Sequence, residues 1–153
     1  MRFFIVLFIN LFISGFSLSD SDRTVFQKQQ FDGIELIISN IRNKTGLIRI
    51  GLYESDKGFP DKPEVSFSLA KDTILSGKLT LLIPIKETGS FAISILDDEN
   101  KNGKMDYRFG IMPKEGFGFS NNPKISMKAP SFDETRFWYK GERLVVSVRM
   151  VYI

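Results

Sequence analysis

Apolar and polar residues alternate with a period of two over most of the chain after residue 32, which is the pattern of strands with one face in a core. Two such segments, at residues 34–38 and 48–52, open the series. Residues 43–46 (N-K-T-G) separate them and carry turn-forming side chains. We therefore predict that the two segments form a β-hairpin.

Further alternating segments continue to the end of the chain. They are a short segment at residues 67–70 and longer ones at 79–85, 91–95 and 144–152. Pro84 has no backbone N–H to give to a neighbouring strand, so its segment should lie near a sheet edge. Residues 54–66 are rich in glycine, proline and charge, which indicates a surface loop.

One helix signal interrupts the strands. Ser131 and Glu134 have the spacing of a capping box, and Gly141 limits the helix to two turns at most. No segment after residue 32 keeps a 3.6-residue period over a long stretch. We predict an all-β fold over residues 33–153, a single-domain antiparallel β-sandwich of the immunoglobulin-like or transthyretin-like type, with at most one short helix.

The first residues have the layout of a secretory signal peptide. Arg2 precedes an apolar run at residues 3–13, and Ser17 and Ser19 occupy the −3 and −1 positions of a cut after residue 19. An uncleaved membrane anchor is the alternative, but the run is short for a bilayer span. We expect a signal peptide at 1–19, a flexible leader at 20–32, and a protein exported to the periplasm or cell surface, with no stable membrane span after cleavage.

Composition removes several classes of chemistry. The chain has no cysteine and no histidine, which excludes disulfides, thiol nucleophiles, the usual zinc sites and Ser-His-Asp catalysis. We therefore expect no enzyme and assign no catalytic residue. The net charge of +3 is spread along the chain and forms no dense basic tract, which argues against a nucleic-acid partner.

The most specific motif is D-E-N-K-N-G-K-M-D at residues 98–106, a calcium-loop pattern. Its predicted ligands are the side chains of Asp98, Asn100, Asn102 and Asp106 and the backbone carbonyl of Lys104. Gly103 supplies the sharp turn. Position 12 is Phe109 and no helical pattern flanks the loop, so an EF-hand is rejected in favour of a calcium loop between strands. Two charged ligands predict weak affinity, at about 10⁻⁴ to 10⁻³ M.

Two other interpretations of this motif remain open. Asn102 and Gly103 can form a plain hairpin turn among solvated polar residues. Alternatively, Asp97, Asp98, Glu99 and Asp106 can be the carboxylates of a hydrolase, although calcium would hold its ligands ionised and unsuited to proton transfer. Glu115, in the glycine-rich segment 109–121, is a further candidate ligand, and Phe117 and Phe119 are expected to pin that segment to the body.

Three adjacent motifs resemble the bacterial domain-of-unknown-function family 2141. They are L-D-D-E-N-K-N-G-K-M-D, F-G-I-M-P-K-E-G-F-G-F-S-N-N and A-P-S-F-D-E-T-R-F, and the similarity covers about residues 34–152. Met112 is an extra residue within the second motif, and Asp97 stands where histidine is expected. The resemblance implies a small exported β-sandwich and assigns no activity.

These observations together favour an exported, calcium-stabilised β-sandwich that serves as a binding or structural module. A cell-envelope protein or a glycan is the expected partner, and the loops at residues 98–121 are the expected binding face. Carbohydrate binding through exposed aromatic residues near the metal, with Trp138 as the test residue, and a calcium-assisted envelope hydrolase are the alternatives. The aromatic candidates are Tyr107, Phe109, Phe117, Phe119, Trp138 and Tyr139.

Overall fold

The computed structural model describes residues 32–72, 74, 76–126 and 128–153. The expected signal peptide at 1–19 and all but the last residue of the expected leader at 20–32 lie outside the described residues. Within the described ranges, every regular segment except one four-residue helix is a strand. The elements are β1 (Ile34–Ser39), β2 (Leu47–Tyr53), β3 (Val65–Ala70), β4 (Leu79–Ile83), β5 (Gly89–Asp98), β6 (Tyr107–Arg108), β7 (Met112–Pro113), β8 (Gly116–Phe119), α1 (Phe132–Thr135), β9 (Phe137–Tyr139) and β10 (Leu144–Arg149).

The larger strands form two sheets. One sheet has the order β10-β1-β4, with β1 parallel to β10 and antiparallel to β4. The other has the antiparallel order β3-β2-β5-β8, and β9 pairs with the first residues of β5. The short strands β6 and β7 form a separate hairpin. The parallel β1–β10 pair joins the two ends of the domain, which sequence periodicity alone does not reveal.

The predicted hairpin between the first two segments is wrong. β1 pairs with β4 and β10, whereas β2 pairs with β3 and β5 in the other sheet. The segment between β1 and β2 therefore crosses from sheet to sheet. Alternation specifies which side chains of a strand face inward, but it does not specify the neighbouring strand, and both arrangements bury the same apolar face.

Inward-facing side chains of both sheets share one apolar core. Its buried members include Ile34, Leu36, Ile38, Ile48, Ile50, Leu52, Ile83, Phe91, Ile93, Ile95, Val146, Val148 and Met150. This shared core confirms the predicted all-β, sandwich-like single-domain class. β4 is an edge strand as expected from Pro84, which directly follows it.

The capping box is present as predicted. The Ser131 hydroxyl accepts a hydrogen bond from the Glu134 backbone N–H, at 3.3 Å, and the Glu134 carboxylate accepts one from the Ser131 N–H, at 2.7 Å. These contacts start a helix of four residues, within the predicted limit of two turns. In the described part of the chain, no helix is long and apolar enough to cross a membrane.

Candidate functional site

The end of β5 places two neighbouring carboxylates on opposite faces of the sheet. Asp97 continues the inward series of Phe91, Ile93 and Ile95, and Asp98 faces the other way. Both side chains are fully buried. Asp98 begins the loop at residues 98–106, and Asp97 belongs to a polar network beneath that loop.

The loop is closed by hydrogen bonds among its predicted ligands. The Asp98 carboxylate accepts the N–H groups of Asn102, at 3.0 Å, and Gly103, at 2.9 Å. The side-chain amides of Asn100 and Asn102 both donate to Oδ2 of Asp106, at 2.6 and 2.9 Å. Gly103 has a φ of 82°, the positive value that the turn requires. The structure therefore brings the four predicted side-chain ligands together.

Lys104, the fifth predicted ligand, has an exposed side chain. Its backbone N–H donates to Oδ1 of Asn102, at 3.0 Å. The Oδ1 atom of Asn100 likewise accepts the N–H of Asn102, at 3.0 Å. Side-chain oxygens at the third and fifth loop positions thus already hold backbone donors, as in two successive Asx turns.

Arg49 of β2 neutralises the first loop position. Its Nε donates to Oδ2 of Asp98, and its side chain is about one-third exposed, at 32%. Residue 49 lies diagonally across from Asp98 in the β2–β5 ladder, where long side chains reach each other. Burial raises the pKa of Asp98, but the Arg49 hydrogen bond and the N–H groups of the loop outweigh it and hold that pKa below its ordinary value.

The Glu115 carboxylate contacts the backbone at both ends of the loop. Its carboxylate accepts the backbone N–H of Glu99, at 3.1 Å, and that of Asp106, at 3.2 Å. The side chain is buried, and burial raises its pKa despite the two N–H donors, with the charges of Asp98 and Asp106 adding to the rise. Glu115 therefore folds back onto the loop and accepts hydrogen bonds from its backbone N–H groups, and its role as a calcium ligand stays a prediction.

A buried ion pair lies beneath the loop. Lys71, which directly follows β3, donates from its ammonium group to Oδ1 of Asp97, and neither side chain is exposed. The same ammonium donates to Oδ1 of Asn43, at 2.9 Å, and the Tyr152 hydroxyl donates to Oδ2 of Asp97, at 2.7 Å. Burial, followed by the hydrogen bond to Asp97, raises the pKa of Tyr152.

Two further side chains close this network into a ring. Arg42 donates to Glu99, at 2.7 Å, and its guanidinium carbon lies 4.6 Å from the centre of the Tyr152 ring. The Asn43 amide donates to the same Glu99 oxygen, at 2.7 Å. The Arg42 hydrogen bond lowers the pKa of Glu99, although burial opposes this. We call Arg42, Asn43, Lys71, Asp97, Glu99 and Tyr152 the polar network. Lys71 and Asp97, at its centre, are buried, and Arg42 is exposed.

The loop leads directly into an exposed hairpin, residues 107–113. Its four large apolar side chains are unusually open to solvent. Their exposed fractions are 52% for Tyr107, 87% for Phe109, 66% for Ile111 and 41% for Met112. Large apolar side chains grouped on a surface in this way mark contact sites more often than isolated ones do.

The other aromatic candidates are distributed differently. Phe119 and Tyr139 are buried, and Phe117 is half-buried, so Phe119 pins the segment after the loop as expected. Trp138 is 59% exposed, but it pairs with Ser90, near the start of β5. Ser90 and Asp98 are eight residues apart in one strand, or about 26 Å at ~3.3 Å per residue. Trp138 is therefore far from the loop at residues 98–106, and a stacking surface beside that loop does not include it.

The acidic residues near the loop and the position of a surface pocket bear on what the loop can hold. Among the residues that the structure describes, no group of three or more Asp, Glu, His or Cys side chains is arranged to hold a metal ion. A surface pocket with a volume of about 270 Å³ is lined by Gly118, Phe119, Asn122, Pro123, Ile125, Arg149 and Val151. This pocket includes no residue of the loop at residues 98–106.

Sequence reasoning missed Arg49 and Lys71, the cations that neutralise the two carboxylates. Arg49 could be linked to Asp98 only once β2 was paired with β5. Lys71 had a signal in the sequence, because it continues the inward series of Phe67 and Leu69. A charge in an inward position requires a buried partner of opposite sign.

An all-β sandwich-like domain with a closed polar loop at one end is the class that this geometry defines. The family model described as "Uncharacterized protein conserved in bacteria (DUF2141)" matches residues 36–146. Since this match covers more than half of the chain, the protein belongs to the DUF2141 family. No curated protein and no solved structure matches the chain significantly.

Proposed function

We propose that the protein is an exported binding module of the bacterial cell envelope, with residues 98–121 as its binding surface and a calcium ion stabilising the loop at 98–106. The observation that carries the proposal is the convergence of Asp98, Asn100, Asn102 and Asp106 on one closed loop. The exposed hairpin follows this loop directly, so a rigid loop would also fix the base of the hairpin. Binding sites gather on loops held by a rigid scaffold.

The donor set fits calcium, which prefers oxygen ligands from carboxylates, amides and backbone carbonyls. Two features oppose tight binding. Arg49 already neutralises Asp98, and the two asparagine amides present N–H donors to Asp106, so their side chains must rotate to offer oxygens. We therefore expect affinity at about 10⁻⁴ to 10⁻³ M, as in extracellular calcium modules.

Export is supported by the N-terminal sequence pattern, and the absence of cysteine is compatible with an envelope protein that has no disulfide to stabilise it. A loosely held calcium ion suits the extracellular space, where calcium is available. These points make export part of the proposal. The direct check is N-terminal sequencing of the protein recovered from cells, which should begin after residue 19.

The test of the calcium site is a thermal melt in EDTA and in about 5 mM calcium. With a dissociation constant of about 0.5 mM, binding adds about 1.4 kcal/mol, or roughly 5 °C, to the wild-type protein. Asp106→Asn is the matched variant, because it removes one ligand charge at a half-buried site while keeping an oxygen for the asparagine amides. It should melt at the same temperature in both solutions.

Magnesium is the control ion, since it demands a smaller, more regular ligand shell. A wild-type melting temperature that does not change with calcium at several millimolar would remove the ion from the proposal. The loop would then be a plain polar turn closed by its own hydrogen bonds. An equal rise in wild type and Asp106→Asn would also contradict the site.

Carbohydrate binding is a second candidate because Trp138 is exposed, whereas the other two residues of β9 are half-buried or buried. Exposed indole rings stack on sugar rings, and this would place a glycan site at the opposite end of β5 from the loop. A glycan array read with wild type and Trp138→Ala tests this idea, and retention of all binding by the variant would refute it. The surface pocket offers no support for the hydrolase alternative, since none of its lining residues is acidic.

A further inference from the structure

The exposed hairpin places apolar side chains where no other part of the described fold covers them. Phe109 and Ile111 flank the tip, and both are more than half exposed. At Gly110, between them, an added Cβ atom would meet no other atom within 4 Å. Removing such side chains from water is favourable, so transfer of the tip into an apolar phase would lower the free energy of the system.

The charges around this tip are almost all positive. Residues 100–114 contain four basic side chains, all exposed, and one acidic side chain, that of Asp106. Oδ2 of Asp106 accepts two amide hydrogen bonds. The four basic residues are Lys101, Lys104, Arg108 and Lys114. Arg108 lies on the hairpin, and Lys114 directly follows it. The Lys114 N–H donates to the Asp106 carbonyl at the base of the hairpin, at 2.9 Å.

We propose that the exposed hairpin docks the protein on an anionic lipid membrane. Phe109 and Ile111 enter the boundary between headgroups and acyl chains, and the four basic residues contact lipid phosphates. Aromatic and aliphatic residues with a basic surround are what an interfacial anchor requires, because Lys and Arg keep their charge at the headgroups while their stems remain in apolar surroundings. This inference goes beyond the proposed function and does not require calcium.

The shape and charge of the tip favour lipid over a protein partner. Stable protein interfaces bury about 800 Å² on each side and are depleted of lysine. A single two-stranded hairpin with four apolar side chains offers a narrow, convex surface, and its surround is rich in lysine. A membrane adapts to such a tip, since lipids rearrange around an inserted side chain.

A tryptophan at the tip tests the proposal in the full-length chain. The probe is Phe109→Trp in a Trp138→Phe background, and the comparison is the natural chain, whose single tryptophan, Trp138, lies at the other end of β5. Residues 3–13 are apolar and can bind lipid by themselves, so the readout is the surroundings of the tip and not binding of the chain. With vesicles of equal parts phosphatidylglycerol and phosphatidylcholine, the fluorescence of the tip tryptophan should shift to the blue and be quenched by brominated lipids. The fluorescence of Trp138 in the natural chain should stay unchanged.

The charge requirement has its own matched pair of variants. Lys104→Gln combined with Arg108→Gln should raise the lipid concentration needed for half of the emission shift about 25-fold. Each basic residue near an anionic surface contributes about fivefold to the affinity for the membrane. Lys86→Gln with Lys140→Gln removes two exposed lysines near the start of β5 and should leave the signal unchanged. Pure phosphatidylcholine vesicles should give little shift.

Three outcomes would overturn the proposal. In the first, the emission of the tip tryptophan stays the same with all vesicles. In the second, it shifts equally with anionic and neutral vesicles and in both charge variants. In the third, it shifts with protein concentration in the absence of lipid, which would identify the hairpin as a contact between copies of the chain.

Discussion

The buried ion pair between Lys71 and Asp97 leads to the largest predicted effect on stability. In Lys71→Met, the apolar stem of the side chain is kept and the ammonium group is lost. Asp97 then retains the Tyr152 hydroxyl as a partner, at 2.7 Å, but has no cation. Oδ1 of Asn43 also loses the Lys71 ammonium as a donor and keeps only the Thr45 backbone N–H, at 2.9 Å.

The magnitude follows from the complete burial of both side chains. Leaving one member of a buried pair without its partner costs about 3–5 kcal/mol, whereas exposed pairs contribute less than about 1 kcal/mol. Such a loss is a large part of the ~5–15 kcal/mol that stabilises a typical domain. With an m-value of about 1.5 kcal/mol/M, the urea midpoint should fall by roughly 2–3 M.

The assay is urea unfolding of three variants beside wild type, followed by circular dichroism. Lys57→Met, at an exposed lysine, is the matched control and should change stability by less than about 0.5 kcal/mol. Lys71→Met combined with Asp97→Asn removes both charges and should regain about 2 kcal/mol or more relative to the single variant. A loss of less than about 1 kcal/mol in Lys71→Met, or no recovery in the double variant, would refute the reasoning.

Three further predictions concern the loop. Arg49→Met should lower stability in EDTA by about 2 kcal/mol, because the buried Asp98 loses a charge-assisted hydrogen bond, and it should raise calcium affinity about tenfold in a titration. An unchanged affinity would mean that Arg49 does not compete with the ion. Because the pKa of Asp98 lies below its ordinary value of 3.8, its contribution to stability is complete above pH 3.8 and is lost as the pH falls through the lower, folded-state value. The urea midpoint of the wild type should therefore fall as the pH is lowered below 3.8, and the midpoint of Asp98→Asn should not show this fall. Glu115→Gln should cost about 1–2 kcal/mol at neutral pH, because an amide has one oxygen for two backbone donors. Hydrogen exchange should then be faster at Glu99 or Asp106, and unchanged exchange at both would contradict the role given to Glu115.

The strands and their inward faces were predictable because alternation is a local property. The last predicted strand illustrates this: Val146, Val148 and Met150 are buried as the sequence indicates. The capping box was equally local, since its two partners are three residues apart. Strand pairing was not predictable in the same way. The residues that connect β1 in one sheet to β2 in the other have the composition of an ordinary hairpin turn.

The polar network shows how unknown strand pairing limits the prediction of a site from the sequence. Asp97 continues the inward series of β5, and Lys71 continues that of β3. Both strands flank β2, where Ile48 pairs with Asp97 on one side and with Leu69 on the other. The two inward series therefore end in opposite charges close to each other. An inward charge is visible in the sequence, but its partner becomes evident only when the strand order is known.

The loop motif itself does not distinguish an ion site from a turn, and the reason lies in its hydrogen bonds. The oxygens that would bind calcium also accept N–H groups, and the guanidinium of Arg49 supplies a positive charge at Asp98, where the ion would supply another. The nine residues are therefore closed by their own hydrogen bonds, and the calcium ion that we propose would add to this closure. We expect the choice between an ion site and a plain turn to depend on residue 49, which lies on a strand that the loop motif does not include. In the proposed site, the charge at that strand position and the rotation of the two asparagine amides would together set the calcium affinity.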